Sequence, residues 1–144
     1  MDRVFKLNPK IAVAIFVGTD LLCVAMGMGV PLLCILLGFF VGWYIAKRAT
    51  VTTTNVKSIL TEVLVYALVT STFTFVVMGV IWGRTIPMLF DPGADFQNFG
   101  HPFILYDPKL SFIGWLVLMI LVSPFLQLLT TIFGSYLTLL RWSK

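Results

Sequence analysis

The sequence predicts an all-α integral membrane protein, a four-helix bundle with both termini on one side. Three observations lead there. The chain is 59% hydrophobic and only 11% charged. Its apolar residues fall into runs of membrane-spanning length, and its basic residues gather at the ends of those runs. Soluble domains carry about 25% charged residues, so a chain with a mean hydropathy of +1.00 could not cover a water-facing surface. Its 144 residues fit a single transmembrane domain, 1–144, with no polar segment long enough to fold separately.

The first apolar run, Ile11 to Ala46, is broken only by Asp20. As one helix it would be about 54 Å long, against a hydrocarbon core of about 30 Å. It must fold back, and Gly27-Met28-Gly29-Val30-Pro31 marks the turn, because glycine ends helices and proline starts them. This gives helices at about 10–27 and 31–47. A third helix spans about 58–82, with Asn55 or Ser58 as N-cap. A fourth spans about 108–140, with Asp107 as N-cap and Pro108 at its first position, an arrangement that Asn8-Pro9 repeats at the first helix. The fourth is longer than one membrane thickness, so tilt or a kink at Ser123-Pro124 is expected.

Charge sets the orientation. Arg3, Lys6, Lys10, Lys47, Arg48, Lys57, Arg141 and Lys144 fall on one side; Arg84 and Lys109 fall on the other. Both termini are therefore expected in the cytoplasm, in a plasma or inner membrane, with segment 83–107 facing out. Residues 1–29 begin like a signal peptide, but no small-x-small site precedes a polar start, so this segment is expected to remain. Cys23 and Cys34 lie in apolar runs and suggest no disulfide framework. Basic residues confined to helix ends do not make a nucleic-acid-binding face.

In lipid, helices associate through close backbone contact and polar bridges. Two GxxxG patterns, Gly38 with Gly42 and Gly79 with Gly83, are candidate packing sites. The first extends to a stripe of Cys34, Gly38, Gly42 and Ala46. It could serve a dimer or contacts within the chain. Trp43, Tyr44, Trp82 and Trp142 sit where interfacial aromatic belts are expected. Segment 83–107 is rich in proline and aromatic residues, and should fold against the outer surface or a partner; Asp91-Pro92-Gly93 reads as a tight turn.

No catalytic constellation is present. There is no GxSxG elbow, no phosphate loop and no dinucleotide motif. His101 is the only histidine, and with Asp91, Asp95 and Asp107 it matches no metal-binding spacing. No cofactor and no metal are expected.

Asp20 is the residue that requires an explanation. A charge at the bilayer centre costs about 2.5–3.5 kcal/mol, and ten residues from the interface it is too deep to snorkel. It should face the bundle interior, protonated, hydrogen-bonded or holding a cation. Gln127 and the hydroxyls of the third helix, with Thr70 foremost, lie at its depth and form a candidate proton- or cation-binding site. The layout is similar, in architecture alone, to that of small multidrug transporters; no motif matches residue by residue. Two functions are carried forward: a non-enzymatic subunit or accessory protein of a membrane assembly, and a small oligomeric proton- or ion-coupled transporter or channel using Asp20. Membrane lipid and another membrane protein, or a second copy, are the expected partners, with no nucleic acid.

Overall fold

The computed structural model describes residues 8–26 and 31–142. The expected turn at residues 27–30 and the charges at Arg3, Lys6 and Lys144 lie outside the described residues. All regular structure among the described residues is helical. α1 spans Pro9–Met26, α2 Leu32–Thr52 and α3 Val56–Gly83. A 3-10 turn, Ile86–Phe90, opens the long connection. The last span is continuous but composite: α4 (Pro108–Val117), a π-helical turn (Leu118–Val122) and α5 (Ser123–Trp142). Four helices are thus long and apolar enough to cross a membrane.

The helix starts follow local chemistry. Asn8, Asn55 and Asp107 accept backbone hydrogen bonds from Lys10 at 3.0 Å, Lys57 at 3.0 Å and Leu110 at 2.8 Å, which satisfies donors the first turn would otherwise orphan. α2 runs five residues past the expected end at 47, through Lys47 and Arg48 to Thr52, because nothing in Ala49-Thr50-Val51 breaks a helix. The expected irregularity at Ser123-Pro124 is present as the π turn just before it. Pro124 has no N–H for the Ile120 carbonyl and its ring crowds that carbonyl; a π turn accommodates both. The Pro124 carbonyl lies across from α3.

Each helix buries one stripe. On α3 it is Ile59, Val63, Ala67, Thr70, Thr74 and Met78, spaced by three or four residues as one helical face requires. On α2 it is Cys34, Gly38, Gly42, Ile45, Ala46 and Ala49. α5 is polar inward: Ser123, Gln127, Thr131, Ser135 and Thr138 are buried, while Phe125, Phe133 and Tyr136 are each more than half exposed, at 56%, 53% and 56%. The buried hydroxyls of Thr131, Ser135 and Thr138 donate to carbonyls one turn back at 2.8–2.9 Å, so they need no water.

The interior is layered. At one end Val24, Cys34, Met78, Phe112, Trp115, Leu116 and Met119 form an apolar cluster. At the other, Ile45, Ala46, Ala49, Ile59 and Val63 form a second. The polar face of α5, Asp20, Thr70 and Thr74 lies between and beside them.

α2 packs most extensively against α5. A Cβ on Gly38 would meet the Gln127 carbonyl at 2.5 Å and the Thr130 hydroxyl; one on Gly42 would overlap the Thr131 carbonyl. Gly134 approaches α2 in return, within 2.5 Å of the Phe39 carbonyl by the same measure. Gly38 and Gly42 therefore sit at a contact within the chain. Gly79 and Gly83 do not: a Cβ on either meets nothing within 4 Å. They lie toward the C-terminal end of α3, off its buried stripe.

The long connection forms a cap over the first of these apolar clusters. Ser111, fully buried, accepts from the backbone N–H of Ile104 at 3.0 Å and of Leu105 at 2.7 Å, and donates to the Leu105 carbonyl at 2.8 Å. Phe96 and Phe99 pack on Phe112, at ring-centroid distances of 5.2 and 5.0 Å. Asp91-Pro92-Gly93 forms the expected turn, closed by Ala94 N–H donating to the Asp91 carbonyl at 3.2 Å.

Candidate functional site

Asp20 lies on the single inward face of α1, where only it and Val24 are buried. Its side chain is completely enclosed. Two neutral donors from two other helices reach it. The Thr74 hydroxyl of α3 lies 3.1 Å from Oδ1 and 3.0 Å from Oδ2. The Gln127 amide of α5 donates from Nε2 to Oδ1 at 3.2 Å. The carboxyl group thus joins α1, α3 and α5 at one point.

The Thr74 hydroxyl has a further option. It lies 3.2 Å from the Thr70 carbonyl, one turn back on its own helix. One hydroxyl carries one proton, so three acceptors compete for it. If Asp20 is ionised, Thr74 donates to the carboxylate. If Asp20 is protonated, its O–H donates to Thr74 Oγ1, and Thr74 donates to the Thr70 carbonyl. Gln127 Nε2 donates to the other carboxyl oxygen in both states. A rotation of one hydroxyl satisfies either protonation state with no side chain displaced.

Thr70 was the expected hydroxyl partner, and its side chain does not take that part. Its Oγ1 donates within α3, to the carbonyls of Tyr66 at 2.9 Å and Ala67 at 3.1 Å. Thr70 contributes through its backbone oxygen, as the alternative acceptor for Thr74. Thr74, another of the third-helix hydroxyls expected near Asp20, is one turn along the same face and takes that part.

Two polar atoms at this level are buried with no hydrogen-bond partner among the described residues: Gln127 Oε1 and Ser123 Oγ. Ser123 precedes Gln127 by one turn of α5. Ser71 spans from α3 to α5, donating to the Pro124 carbonyl at 2.7 Å. The polar layer therefore combines one titratable acid, a switchable hydroxyl and spare acceptor capacity.

No group of three or more His, Cys, Asp or Glu side chains among the described residues is arranged to hold a metal ion. Asp91, Asp95 and Asp107 are engaged in turns and a helix cap: Asp91 accepts from Gly93 N–H at 2.9 Å, and Asp95 from Asn98 Nδ2 at 2.6 Å. The Asn98 side-chain hydrogen bond, with backbone N–H donors behind it, holds the Asp95 carboxyl below its usual value. His101 is buried in the cap formed by the long connection, 5.5 Å from the rings of both Phe103 and Phe112, with neither ring nitrogen hydrogen-bonded among the described residues.

Compared with known protein families, with curated proteins and with solved structures, the chain shows no match.

Proposed function

We propose that the chain is a four-span integral membrane protein with both termini cytoplasmic, in which Asp20 is the proton-binding residue of a small, oligomeric, proton-coupled transporter or channel. The membrane part of this reading is supported by the inverted α5, whose buried face is polar and whose exposed face is aromatic and aliphatic. That arrangement suits a hydrocarbon surround and not water. The orientation rests on the basic residues of the helix ends. The proton-binding part is carried by one observation: the hydrogen bonds around Asp20 can be completed in both protonation states. A purely structural bridge does not need that property, whereas a site that loads and unloads a proton does.

The test is proton flux in reconstituted liposomes with a pH dye inside. Wild-type protein is expected to dissipate an imposed gradient. Asp20→Asn keeps an acceptor for Thr74 and Gln127 but cannot titrate. It should fold and assemble as wild type does, with flux reduced at least about tenfold, the scale of removing an essential proton-transfer group. Unchanged flux in Asp20→Asn would dispose of the proton-binding reading.

The accessory-subunit reading stands second, supported by a different observation. Phe103, Ile104, Leu105 and Tyr106 are all exposed at the tip of the outer cap, Tyr106 entirely so. An aromatic surface beyond the helix ends is suited to a partner protein. Purification in mild detergent that yields a defined hetero-complex, lost in a Phe103→Ser, Tyr106→Ser variant, would favour it.

A further inference from the structure

A cavity of about 420 Å³ lies between α1, α2 and α3, away from the Asp20 carboxyl group. Its walls are apolar along α1, from Pro9 through Ala12, Val13, Phe16 and Val17 to Thr19. The ten helical rises from Pro9 to Thr19 make it about 15 Å long, half of a hydrocarbon core about 30 Å thick. It is therefore one leaflet deep. Its side is open, since Val13, Ile15 and Phe40 on its rim are 49%, 56% and 67% exposed.

The cavity has chemically distinct ends. Arg48 lines it at the end where α1 begins and α2 approaches its finish. Tyr66 enters at that end from α3. Lys10 follows Pro9 and Lys47 precedes Arg48, which adds positive charge there. At the far end Thr19, Thr70 and Phe73 close it, with Phe73 edge-on to Phe16 at 5.9 Å. A slot with hydrocarbon walls, a one-leaflet depth and a guanidinium at its mouth matches an acyl chain beneath a phosphate. Arginine is suited to that headgroup because its planar fork meets phosphate oxygens in pairs.

We propose that this cavity is a binding site for one acyl chain of an anionic phospholipid from the adjacent leaflet, with its phosphate on Arg48. The proposal rests on the membrane reading and is independent of the role of Asp20. Binding here would fill the space between α1 and its neighbours, which the protein's own side chains leave open.

Spin-labelled phosphatidylglycerol and phosphatidylcholine, in vesicles carrying the full-length protein, test it by electron paramagnetic resonance. The motionally restricted fraction should favour phosphatidylglycerol about fivefold, the attraction expected of one basic residue at a membrane surface. Arg48→Gln should abolish most of that preference. Lys57→Gln, which removes an equal charge outside the cavity, should leave it intact. Ala12→Trp, which fills the slot, should release the restricted phosphatidylglycerol. Equal losses in Arg48→Gln and Lys57→Gln, or full retention in a folded Ala12→Trp, would overturn the proposal; if Ala12→Trp does not fold, the two charge variants decide. Absence of restricted lipid of either kind around the wild-type protein would instead remove the membrane reading itself.

Discussion

At the seam between α2 and α5, backbones meet. Glycines at 38, 42 and 134 admit the facing helix so closely that no side chain would fit. The hydroxyls of Thr130 and Ser135 then reach across the gap to within 2.7 Å of the Ile35 carbonyl and 2.9 Å of the Gly42 carbonyl, each sharing its proton with a carbonyl of its own helix. α1 is held differently. Only Asp20 and Val24 are buried on it, and among the described residues its one polar connection to α3 and α5 runs through a carboxyl group. The two regions represent the two forces available to helices in lipid, distributed close packing and localised polar bridging. The first is insensitive to protonation and intolerant of volume. The second hangs on one carboxyl group and the donors that reach it, so losing a donor such as Thr74 weakens the hold on α1 without opening the seam.

Substitutions can break that contrast. Gly42→Leu should have the largest effect, about 3 kcal/mol or more, because a Cβ alone already overlaps the Thr131 carbonyl and the seam must open. Gly79→Leu, in the same sequence pattern but against open space, should stay within about 0.5 kcal/mol. Thermal unfolding in detergent compares the two, and equal losses would mean that the seam is not the site of close packing. At the α1 contact, Thr74→Val should cost about 1 kcal/mol, since it removes a donor between helices and leaves the shape unchanged. Thr70→Val should cost less than about 0.5 kcal/mol, because its hydroxyl serves only its own helix. A reversal of that order would return Thr70 to the site. Ser135→Ala should matter least at the seam, about 0.5 kcal/mol, as the carbonyls it reaches are helical already. Beyond both regions, Asp95 offers a pH reference. Its folded carboxyl is held below the ordinary value of 3.8 by Asn98. The stabilisation it provides is therefore complete above that value and is lost as pH falls through the folded value. Hydrogen exchange at the Gln97 and Asn98 amides should be flat from neutral pH down to about 4, once corrected for the intrinsic rate, and should quicken only below that.

Much of this was legible in the residues. Run length and charge placement gave the four helices, because insertion into hydrocarbon depends on composition before it depends on packing. The caps at Asn55 and Asp107 were legible because capping is local. The partner of Asp20 was legible only in part. Gln127 carries the one side-chain amide of the last span, so it could be named; Thr70 and Thr74 share one face a turn apart, and a turn of 5.4 Å is finer than a depth estimate resolves. The two GxxxG patterns look equivalent as text. They differ because Gly38 and Gly42 lie on the buried stripe of α2, whereas Gly79 and Gly83 lie off that of α3, a distinction that needs the neighbouring helices. The burial of His101 was hidden for a related reason. It depends on Phe99 and Phe112 closing around it, and contacts from an irregular segment follow no period.

The closeness of α2 to α5 has a consequence for how the chain is made. Ser135 and Gly42 touch across 93 positions of sequence. At a synthesis rate of about 5–20 residues per second, α2 emerges about 5–20 s before the surface it is shaped to receive. During that interval its glycine groove has no mate. On the membrane reading proposed above, the first three spans would enter the bilayer on hydropathy alone, and the bundle would lock only when the final helix arrives. A ribosome stalled after α3 should leave a chain that is inserted but loosely assembled, and open to proteolysis at the connections that the last span would have drawn together.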